Sequence, residues 1–249
     1  MTSLSVVCAV KDRSRQFINH LTSCEMQEID DYEFILVDDG STEDVKSIFM
    51  ASALENKKYV RLDSSKDRPP AVSFNEGYKQ SEGDFLLFLC GDIILSDKDV
   101  FRKFLNFDSK YRKSLLTYFL SPVMTASLLT VDWKSSPRNI ETLEGFWEYK
   151  LKHHSTTNKQ NLAAGLTTYA TGNFRDYWEY IGFFRNENHH LAVDQDLHLR
   201  ERCLGYGVET IEGSCAYHQF HLPPGVEVGT SYVYKNENQA RLLEPAERE

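Results

Sequence analysis

Short apolar runs alternate with amphipathic stretches along roughly the first hundred residues of the chain. Four of these runs are nearly continuous in apolar residues, which is typical of strands that are covered on both faces of a sheet. The predicted strands are Leu4–Val10, Glu33–Val37, Lys58–Leu62 and Asp84–Leu89. Between them, apolar residues recur at helical spacing. The pattern predicts β-α-β crossovers and therefore an α/β fold built on a mostly parallel central sheet.

Helix signals separate these strands. One predicted helix buries Phe17, the next buries Phe49, and a third begins at Pro70, a residue type that is favoured in a first turn. Ser96 and Asp99 have the spacing of a capping box, in which two side chains satisfy the free N–H groups of a helix start. This spacing predicts a fourth helix that begins near residue 100.

The regular alternation weakens after about residue 115. The polar stretch His153–Ala164 predicts a loop, and the segment from Pro223 onward carries Gly, Pro and charge with little periodicity, as in a C-terminal tail. The other elements predicted here are strands over Leu115–Leu120 and Leu128–Val131 and helices over Ile140–Lys152 and Asp194–Leu204, the last closed by Gly205.

Charge and cysteine content narrow the class of protein. The chain has 37 Asp and Glu against 28 Lys and Arg, a formal net charge of -9, so no general basic field attracts nucleic acid. The five cysteines are scattered without C-x-x-C spacing, which predicts reduced thiols in a cytoplasmic protein. The first residues lack the pattern of a basic leader with a cleavage site, and no apolar run approaches the roughly 20 residues of a membrane span. We therefore expect neither secretion nor a transmembrane segment, which leaves peripheral membrane association open.

Polar residues follow three of the predicted strands, at the edge of an open parallel sheet where ligands collect. They are Asp12 and Arg13 after the first strand, Asp38 and Asp39 after the second, and Gly91 and Asp92 after the fourth. Because Gly40 follows Asp39, the second group also fits a plain strand-turn-helix connection. A carboxylate at this place equally accepts hydrogen bonds from ribose hydroxyls or a nucleobase.

Two common nucleotide-binding motifs are absent from the sequence. Neither G-x-G-x-x-G after the first strand nor G-x-x-x-x-G-K-[ST] occurs, which disfavours a dinucleotide dehydrogenase and a P-loop NTPase. A diphosphate would then be held by another device, of which a divalent cation is the most economical, and Asp92 behind Gly91 is placed to bind one. His218 ends a later apolar run, and an imidazole with a carboxylate suits Mn²⁺ better than Mg²⁺. A lone histidine at a strand end is also commonly structural.

Two acids begin the predicted helix that ends at Leu204. Asp194 and Asp196 lie in its first turn, where acidic side chains ordinarily stabilise the helix dipole. Asp194 is also a candidate general base, provided that burial raises its pKa against the opposing pull of the helix N-terminus. Both interpretations stay open on the sequence alone.

Taken together, these segments resemble the family 2 glycosyltransferases of GT-A fold. The similar N-terminal segments are Ser5–Arg13, Ile35–Thr42, Ala71–Gly77 and Ser81–Asp92, in the order and spacing of that family. Thinner similarity over Gly172–Arg175, Ile181–Phe183 and Asp194–Arg202 looks like the acceptor-side and catalytic segments. The resemblance implies one GT-A domain over 1–222, with a nucleotide-sugar-binding half (1–110) and an acceptor and catalytic half (111–222), followed by a tail over 223–249.

The resemblance implies a role for each candidate residue. Asp39 would contact the nucleoside with the help of Asp38, and Asp194 would be the catalytic base. Asp92 and His218 would hold a divalent metal, Mn²⁺ or Mg²⁺. The other residues of the nucleotide-sugar pocket would be Asp12, Arg13, Arg68, Asn75 and Gly91, and those on the acceptor side would be Gly172, Asn173 and Asp196.

The implied activity is that of an inverting glycosyltransferase of the hexosyl- or N-acetylhexosaminyl-transferase class. It would move a sugar from a nucleotide-sugar donor, by analogy a UDP-sugar, to a hydroxyl of a glycan or other acceptor. Surface polysaccharide or glycoconjugate synthesis is the setting that this implies. The chain departs from the family at Cys90, where the metal motif usually carries an acid, and at Val193, where an acid often precedes the base.

Cys90 keeps a second interpretation open. Because a neutral thiol is a poor ligand for a hard cation, the chain is alternatively a catalytically impaired GT-A-fold protein that binds a nucleotide sugar or acts as a scaffold. A nucleotidyltransferase is a third class. It would need a Gly-rich phosphate loop, and Val10–Ser14 contain no glycine.

Overall fold

The structure, a computed structural model, describes residues 3–63, 68–106, 110–119, 169–185, 193–219, 232–236 and 239–242. The strands in these ranges are β1 Leu4–Val10, β2 Tyr32–Asp38, β3 Lys57–Arg61, β4 Phe85–Cys90, β5 Ile93–Leu95, β6 Arg112–Phe119, β7 Ala170–Phe174, β8 Val208–His218, β9 Tyr232–Asn236 and β10 Gln239–Leu242. The helices are α1 Ser14–Glu25, α2 Val45–Ala51, α3 Pro70–Gln80, α4 Val100–Asn106, α5 Arg175–Ile181 and α6 Val193–Cys203. The elements predicted over Leu128–Val131, Ile140–Lys152 and His153–Ala164 lie outside the described residues.

Eight of these strands form one sheet in the order β3-β2-β1-β4-β7-β6-β8-β5, and β9 and β10 pair as an antiparallel hairpin. β1 lies parallel between β2 and β4, and β3 extends this parallel group beyond β2. β7 is antiparallel to both β4 and β6, whereas β6 and β8 are parallel. The predicted α/β fold with a mostly parallel central sheet is confirmed.

The four N-terminal strands agree with their predicted bounds. β1 spans the predicted residues, and β2, β3 and β4 differ from prediction by a single residue at each end. β6 begins three residues before the predicted Leu115, because it opens with Arg112 and Lys113, whose charged side chains are nevertheless buried. Apolar periodicity could not detect that start.

The core lies on both faces of the parallel strands, which explains their almost continuous apolar sequences. Alternate residues of a strand point to opposite faces. Val6 of β1 packs in a cluster with Phe17 of α1, whereas Val7 packs in a second cluster with Phe74 of α3. Trp178 of α5 is fully buried in that second cluster. Each such aromatic ring stabilises the fold by about 1.5–3 kcal/mol through burial.

The prediction of a capping box at Ser96 is wrong, although the helix predicted to follow it is present. Ser96 Oγ donates to the Asp97 carboxylate over 2.6 Å and accepts from the backbone N–H of Cys215 over 2.8 Å. Because Cys215 belongs to β8, the Ser96 hydroxyl fastens the chain to the sheet instead of capping a helix. α4 starts four residues later, at Val100.

The glycine cap predicted at the end of α6 is confirmed. Gly205 has a φ of 77°, in the left-handed region that favours glycine. Its N–H donates to the carbonyl of Arg202 over 3.2 Å, and the N–H of Tyr206 donates to that of Glu201 over 2.8 Å. The helix therefore ends within one residue of the predicted Leu204.

A buried ion pair fastens α6 to the sheet. Arg112 Nε donates to Glu201 Oε1 over 2.6 Å, and both side chains are fully buried. The Tyr177 hydroxyl donates to the same oxygen over 2.6 Å, and Arg112 Nη1 donates to Thr171 Oγ1 over 2.8 Å. A buried pair is stable only when its remaining hydrogen-bonding groups are satisfied in this way. The network joins α6 to α5, β6 and β7.

The predicted domain boundaries stay predictions, but the sheet is continuous across the two predicted halves. β7 from the second half pairs directly with β4 from the first, and β5 pairs with β8. Part of the predicted tail forms the hairpin of β9 and β10. Within the described residues, no helix is both long enough and apolar enough to cross a membrane.

Gly172 of β7 allows a close approach between strands. A Cβ atom at this position would lie 2.7 Å from Phe85 Cε1 and 2.8 Å from the carbonyl oxygen of Leu86. Backbone atoms of a central strand cannot shift to accommodate a methyl group, so any side chain here would push β7 away from β4.

We therefore expect Gly172→Ala to lower the free energy of unfolding by about 1–3 kcal/mol, the usual cost of overpacking. Gly207→Ala is the matched control, because the nearest atom to its Cβ would be Tyr111 Cδ1 at 3.8 Å, an ordinary contact. Urea unfolding of both variants measures the difference. Equal stabilities would contradict the close packing of β7 on β4.

Candidate functional site

The ends of β2, β1 and β4 bring the first three groups of candidate residues to one edge of the sheet. The parallel register pairs Val10 with Asp38 and Ala9 with Cys90. Beyond the strands, the N–H of Asp39 donates to the Val10 carbonyl over 2.8 Å and that of Gly91 donates to the Ala9 carbonyl over 2.9 Å. The polar residues that follow these strands are therefore neighbours, as the sequence predicts.

The turn after β1 has an uncommon backbone. Asp12 and Arg13 both have positive φ, 56° and 62°, a left-handed conformation that costs non-glycine residues about 1–2 kcal/mol each. Asp12 offsets this through hydrogen bonds to the loop after β2: its N–H donates to Ser41 Oγ over 2.8 Å, and its Oδ1 accepts from the N–H groups of Thr42 and Glu43. Burial alone would raise the pKa of Asp12, but these hydrogen bonds lower it. The carboxylate thus organises the turn.

Asp38 is fully buried and supports the loop from inside. Its Oδ1 accepts from the N–H of Ser41 over 2.7 Å. Its Oδ2 accepts from the Tyr59 hydroxyl and from Arg61 Nη1, each over 2.6 Å. Tyr59 and Arg61 are alternate residues on β3, a pattern that sequence reasoning did not connect to the site. With its oxygens directed into the protein, Asp38 holds the neighbouring Asp39 in place.

Asp39 and Arg68, both predicted to line the nucleotide pocket, form an ion pair. Arg68 Nε donates to Asp39 Oδ1 over 3.0 Å, with both side chains largely buried. Arg68 also donates to the Asp63 carbonyl. Burial raises the pKa of Asp39, and the hydrogen bond from Arg68 and the charge of Lys11 oppose this rise. The pair offers a hydrogen-bonding carboxylate beside a guanidinium.

Asp92 and His218 approach each other although they are far apart in sequence. β5 pairs with β8 so that Ile93 lies opposite His218, and the N–H of Gln219 donates to the Asp92 carbonyl over 3.0 Å. Asp92 Oδ2 consequently lies 3.7 Å from His218 Nε2. The ring of Tyr169, which the sequence did not single out, meets His218 edge-on at 4.7 Å between centroids.

The spacing of Asp92 and His218 fits a shared divalent cation. Two ligand atoms that each bind one ion at about 2.0–2.2 Å lie no more than roughly 4.4 Å apart. Cys90 lies near Asp92 as well. Burial, and then the charges of Asp92 and Asp194, raise the pKa of its thiol well above the ordinary value, so the thiol stays neutral. In the described part of the chain, no three His, Cys, Asp or Glu side chains group as a metal site. A cation here would need further oxygen ligands, such as those of a diphosphate.

Arg13 lies at the same carboxylate. Its Nη1 donates to Asp92 Oδ2 over 2.9 Å, forming a salt bridge that the sequence did not predict. Next to Asp92, a Cβ atom at Gly91 would lie 3.1 Å from the Cβ of Val10. The lack of a side chain at Gly91 keeps the ends of β1 and β4 in close contact.

Asp194 lies near this cluster, in the first turn of α6. Asp92 and Asp194 raise the pKa of the Cys90 thiol and Arg13 lowers it, so all three charges lie within electrostatic range of that thiol. Val193 and Leu197 of α6 are buried in the core. Their burial sets the rotation of α6 about its axis, and with it the direction of Asp194. A carboxylate that follows β4 and a carboxylate of α6 thus act on the same buried thiol.

Four other predicted site residues have structural contacts. Asn75 Nδ2 donates to the Phe184 carbonyl over 2.6 Å and its Oδ1 accepts from the Phe184 N–H over 3.3 Å, which ties α3 to the segment after α5. Asp196 pairs with Arg200 over 2.9 Å and with Arg185 over 3.4 Å. Gly172 and the buried Asn173 lie within β7 and serve strand packing and main-chain hydrogen bonds. Their predicted pocket and acceptor roles stay predictions.

Comparison with known proteins identifies the family and the fold of the chain. Residues 5–181 match the sequence family described as Glycosyl transferase family 2. The chain is similar to the O-antigen biosynthesis protein RfbC of Myxococcus xanthus, with 35% identity over 95 residues, which is 37% of this chain and 8% of RfbC. Alignments with curated relatives span between 8% and 42% of those proteins' own lengths.

Solved structures show the same fold. The mannosyltransferase PcManGT from Pyrobaculum calidifontis, in complex with GDP-Man and Mn²⁺, superposes with a TM-score of 0.60 at 14% identity, over 88% of this chain and 57% of that one. Residues 1–349 of S. aureus TarS, in complex with UDP-GlcNAc, superpose with a TM-score of 0.56 at 17% identity, over 89% of this chain and 59% of that one. The fold is therefore the GT-A fold. With a family match that covers more than half of its length, the chain belongs to glycosyl transferase family 2.

Proposed function

We propose that the protein is an inverting glycosyltransferase that moves a sugar from a nucleotide-sugar donor to an acceptor hydroxyl. The observation that carries the proposal is that Asp39 and Asp92 follow β2 and β4 at one edge of the sheet, while Asp194 of α6 and Asp92 both raise the pKa of the Cys90 thiol at the end of β4. Asp39 suits the nucleoside and Asp92 suits the diphosphate of a nucleotide-sugar donor. Asp194 comes from a helix, α6, and is therefore available for a separate role. Family membership supports the same chemistry.

The nucleoside would bind beside the loop after β2. Asp39 accepts hydrogen bonds from ribose or base there, with Arg68 at its side and the buried Asp38 holding the loop rigid. We propose a UDP-sugar of the hexosyl or N-acetylhexosaminyl class, in keeping with the UDP-GlcNAc of the TarS structure. The GDP-Man of the PcManGT structure makes a GDP-sugar the second candidate.

The diphosphate would bind at Asp92. We propose that Asp92 and His218 hold a divalent cation, Mn²⁺ or Mg²⁺, at this place, and the Mn²⁺ of the PcManGT structure supports it. When bound, this cation supplies positive charge that neutralises the leaving nucleoside diphosphate. Gly91 lets the backbone approach closely, and Arg13 provides a second positive charge from this chain.

Asp194 would act as the base. It would accept the acceptor's proton as the acceptor oxygen attacks the anomeric carbon, from the side opposite to the leaving group, so the anomeric configuration inverts. Removal of the proton and departure of the diphosphate are then served by different carboxylates. Gly172, Asn173 and Asp196 are proposed as supports of the acceptor side, through the packing of β7 and α6.

The acceptor is proposed to be a hydroxyl of a glycan or glycoconjugate in surface polysaccharide synthesis. The similarity to RfbC, an O-antigen biosynthesis protein, supports this setting. Reaction in the cytoplasm is consistent with Cys8, Cys24 and Cys215, which are buried free thiols. A catalytically impaired nucleotide-sugar-binding protein is the second candidate, favoured by the neutral thiol of Cys90.

We expect Asp194→Asn to slow turnover by about 10²–10⁴-fold, the contribution of a general base, while donor affinity changes little. A thermal-shift panel of UDP- and GDP-sugars first identifies the donor, and nucleotide release then measures turnover. Calorimetric titration measures donor affinity.

The matched control for this change is Asp176→Asn, an acid in the first turn of α5. It should retain the wild-type rate, because it lies on a helix that the candidate site does not use. Undiminished turnover in the Asp194 variant would remove that residue from the role of base. Donor binding without any turnover in the wild-type chain would favour the impaired protein.

We further expect turnover to fall by at least about tenfold in excess EDTA and to return when Mn²⁺ is added, because neutralisation of the leaving diphosphate is worth several kcal/mol. His218→Gln should raise the Mn²⁺ concentration needed for half-maximal rate by about tenfold. Mn²⁺ titration of nucleotide release tests both statements. Full activity in EDTA would show that the chain transfers sugar without a metal.

A further inference from the structure

The carboxylate assigned to the metal is already bonded to a cation of the protein itself. Arg13 Nη1 donates to Asp92 Oδ2 over 2.9 Å, and this same oxygen faces His218 Nε2 at 3.7 Å. The Arg13 side chain is 30% exposed, whereas that of Asp92 is 7% exposed. The guanidinium therefore covers the carboxylate from the solvent side.

The backbone of the turn after β1 directs Arg13 to this place. Asp12 and Arg13 are consecutive residues with positive φ, and the carboxylate of Asp12 holds the turn against Thr42 and Glu43. Arg13 also stands at the N-cap of α1 without a side-chain capping bond. The surrounding hydrogen bonds hold Asp12 and Arg13 in this strained backbone conformation. Such strain at a ligand-binding edge indicates that the direction of the Arg13 side chain is constrained.

Arg13 balances the charge of the Asp92 carboxylate through their salt bridge. A divalent cation that arrives alone and binds Asp92 Oδ2, the oxygen that faces His218, competes with the guanidinium for that oxygen. A diphosphate that arrives offers the guanidinium paired oxygens, which match its planar fork better than one carboxylate oxygen does.

We propose that Arg13 covers the metal ligand Asp92 in the donor-free protein and transfers to the donor's diphosphate when the donor binds, which makes Asp92 accessible to the cation only together with the donor. This inference rests on the proposed function, because a nucleoside diphosphate is the group that releases Arg13. It assigns to Arg13 a coupling role between two ligands, beyond contact with either one.

The test is a pair of binding measurements on Arg13→Gln, which removes the charge and keeps a polar side chain of similar reach. Mn²⁺ alone, followed by electron paramagnetic resonance of the free ion, should bind about tenfold more tightly than to the wild-type chain, because Asp92 is uncovered. UDP and GDP, titrated in EDTA, should bind about tenfold more weakly. The two changes have opposite signs, which a general loss of structure cannot produce.

Three further variants keep the result interpretable. Arg15→Gln removes the same charge from an exposed position two residues away and should change neither affinity by more than about twofold. Arg13→Lys keeps the charge and should leave Mn²⁺ binding weak. Asp92→Asn combined with Arg13→Gln should abolish the gain in Mn²⁺ affinity, because the uncovered ligand is then gone.

Three outcomes would overturn the inference. Weaker UDP binding with unchanged Mn²⁺ binding in Arg13→Gln would make Arg13 a plain phosphate ligand. Unchanged affinity for both probes would make the salt bridge irrelevant to ligands. Failure of the wild-type chain to bind either UDP or GDP, with or without Mn²⁺, would contradict the proposed function itself, and the inference would fall with it.

Discussion

The parallel pairing of β1 with β2 on one side and β4 on the other is the constraint on which the site depends. It sets Val10 beside Asp38 and Ala9 beside Cys90, so that three chain segments leave the sheet at one edge. The pairing is stable because alternate residues of β1 bury themselves in separate core clusters on the two faces. A register shift of one residue would exchange those faces and separate the acids at the same time. Core packing and site geometry are therefore specified together.

Concentrating acids at one edge creates repulsion that the protein balances locally. Arg61 pairs with Asp38, Arg68 with Asp39 and Arg13 with Asp92, each over 3.0 Å or less. Every one of these carboxylates is buried, where an unpaired charge would be costly. The guanidinium groups are the more exposed members of the pairs. A negatively charged ligand can thus meet arginines first, even though the chain carries a net charge of -9.

Sequence patterns predicted the features that depend on a single strand or helix, and the grouping of polar residues at the edge of a parallel sheet. The apolar runs located β1 to β4, and Gly205 located the end of α6, because both signals are local. The antiparallel insertion of β7 between β4 and β6 was not predictable, since periodicity reports which face of a strand is buried and not which strand lies beside it. The uses of Asn75 and Ser96 also escaped prediction. A polar side chain serves whichever partner folding brings near, and here the partners are Phe184 and Cys215.

The Arg112–Glu201 pair anchors α6 near its C-terminal end. Glu201 lies seven residues beyond Asp194, a distance of about 10 Å at 1.5 Å per residue. If α6 pivots about this fully buried anchor, a tilt of about 10° displaces Asp194 by about 2 Å. Displacements of about 1 Å are enough to reduce the rate of a positioned reaction by about a hundredfold. The position of the proposed base is thus set by a buried ion pair two helical turns away, outside the donor edge of the sheet.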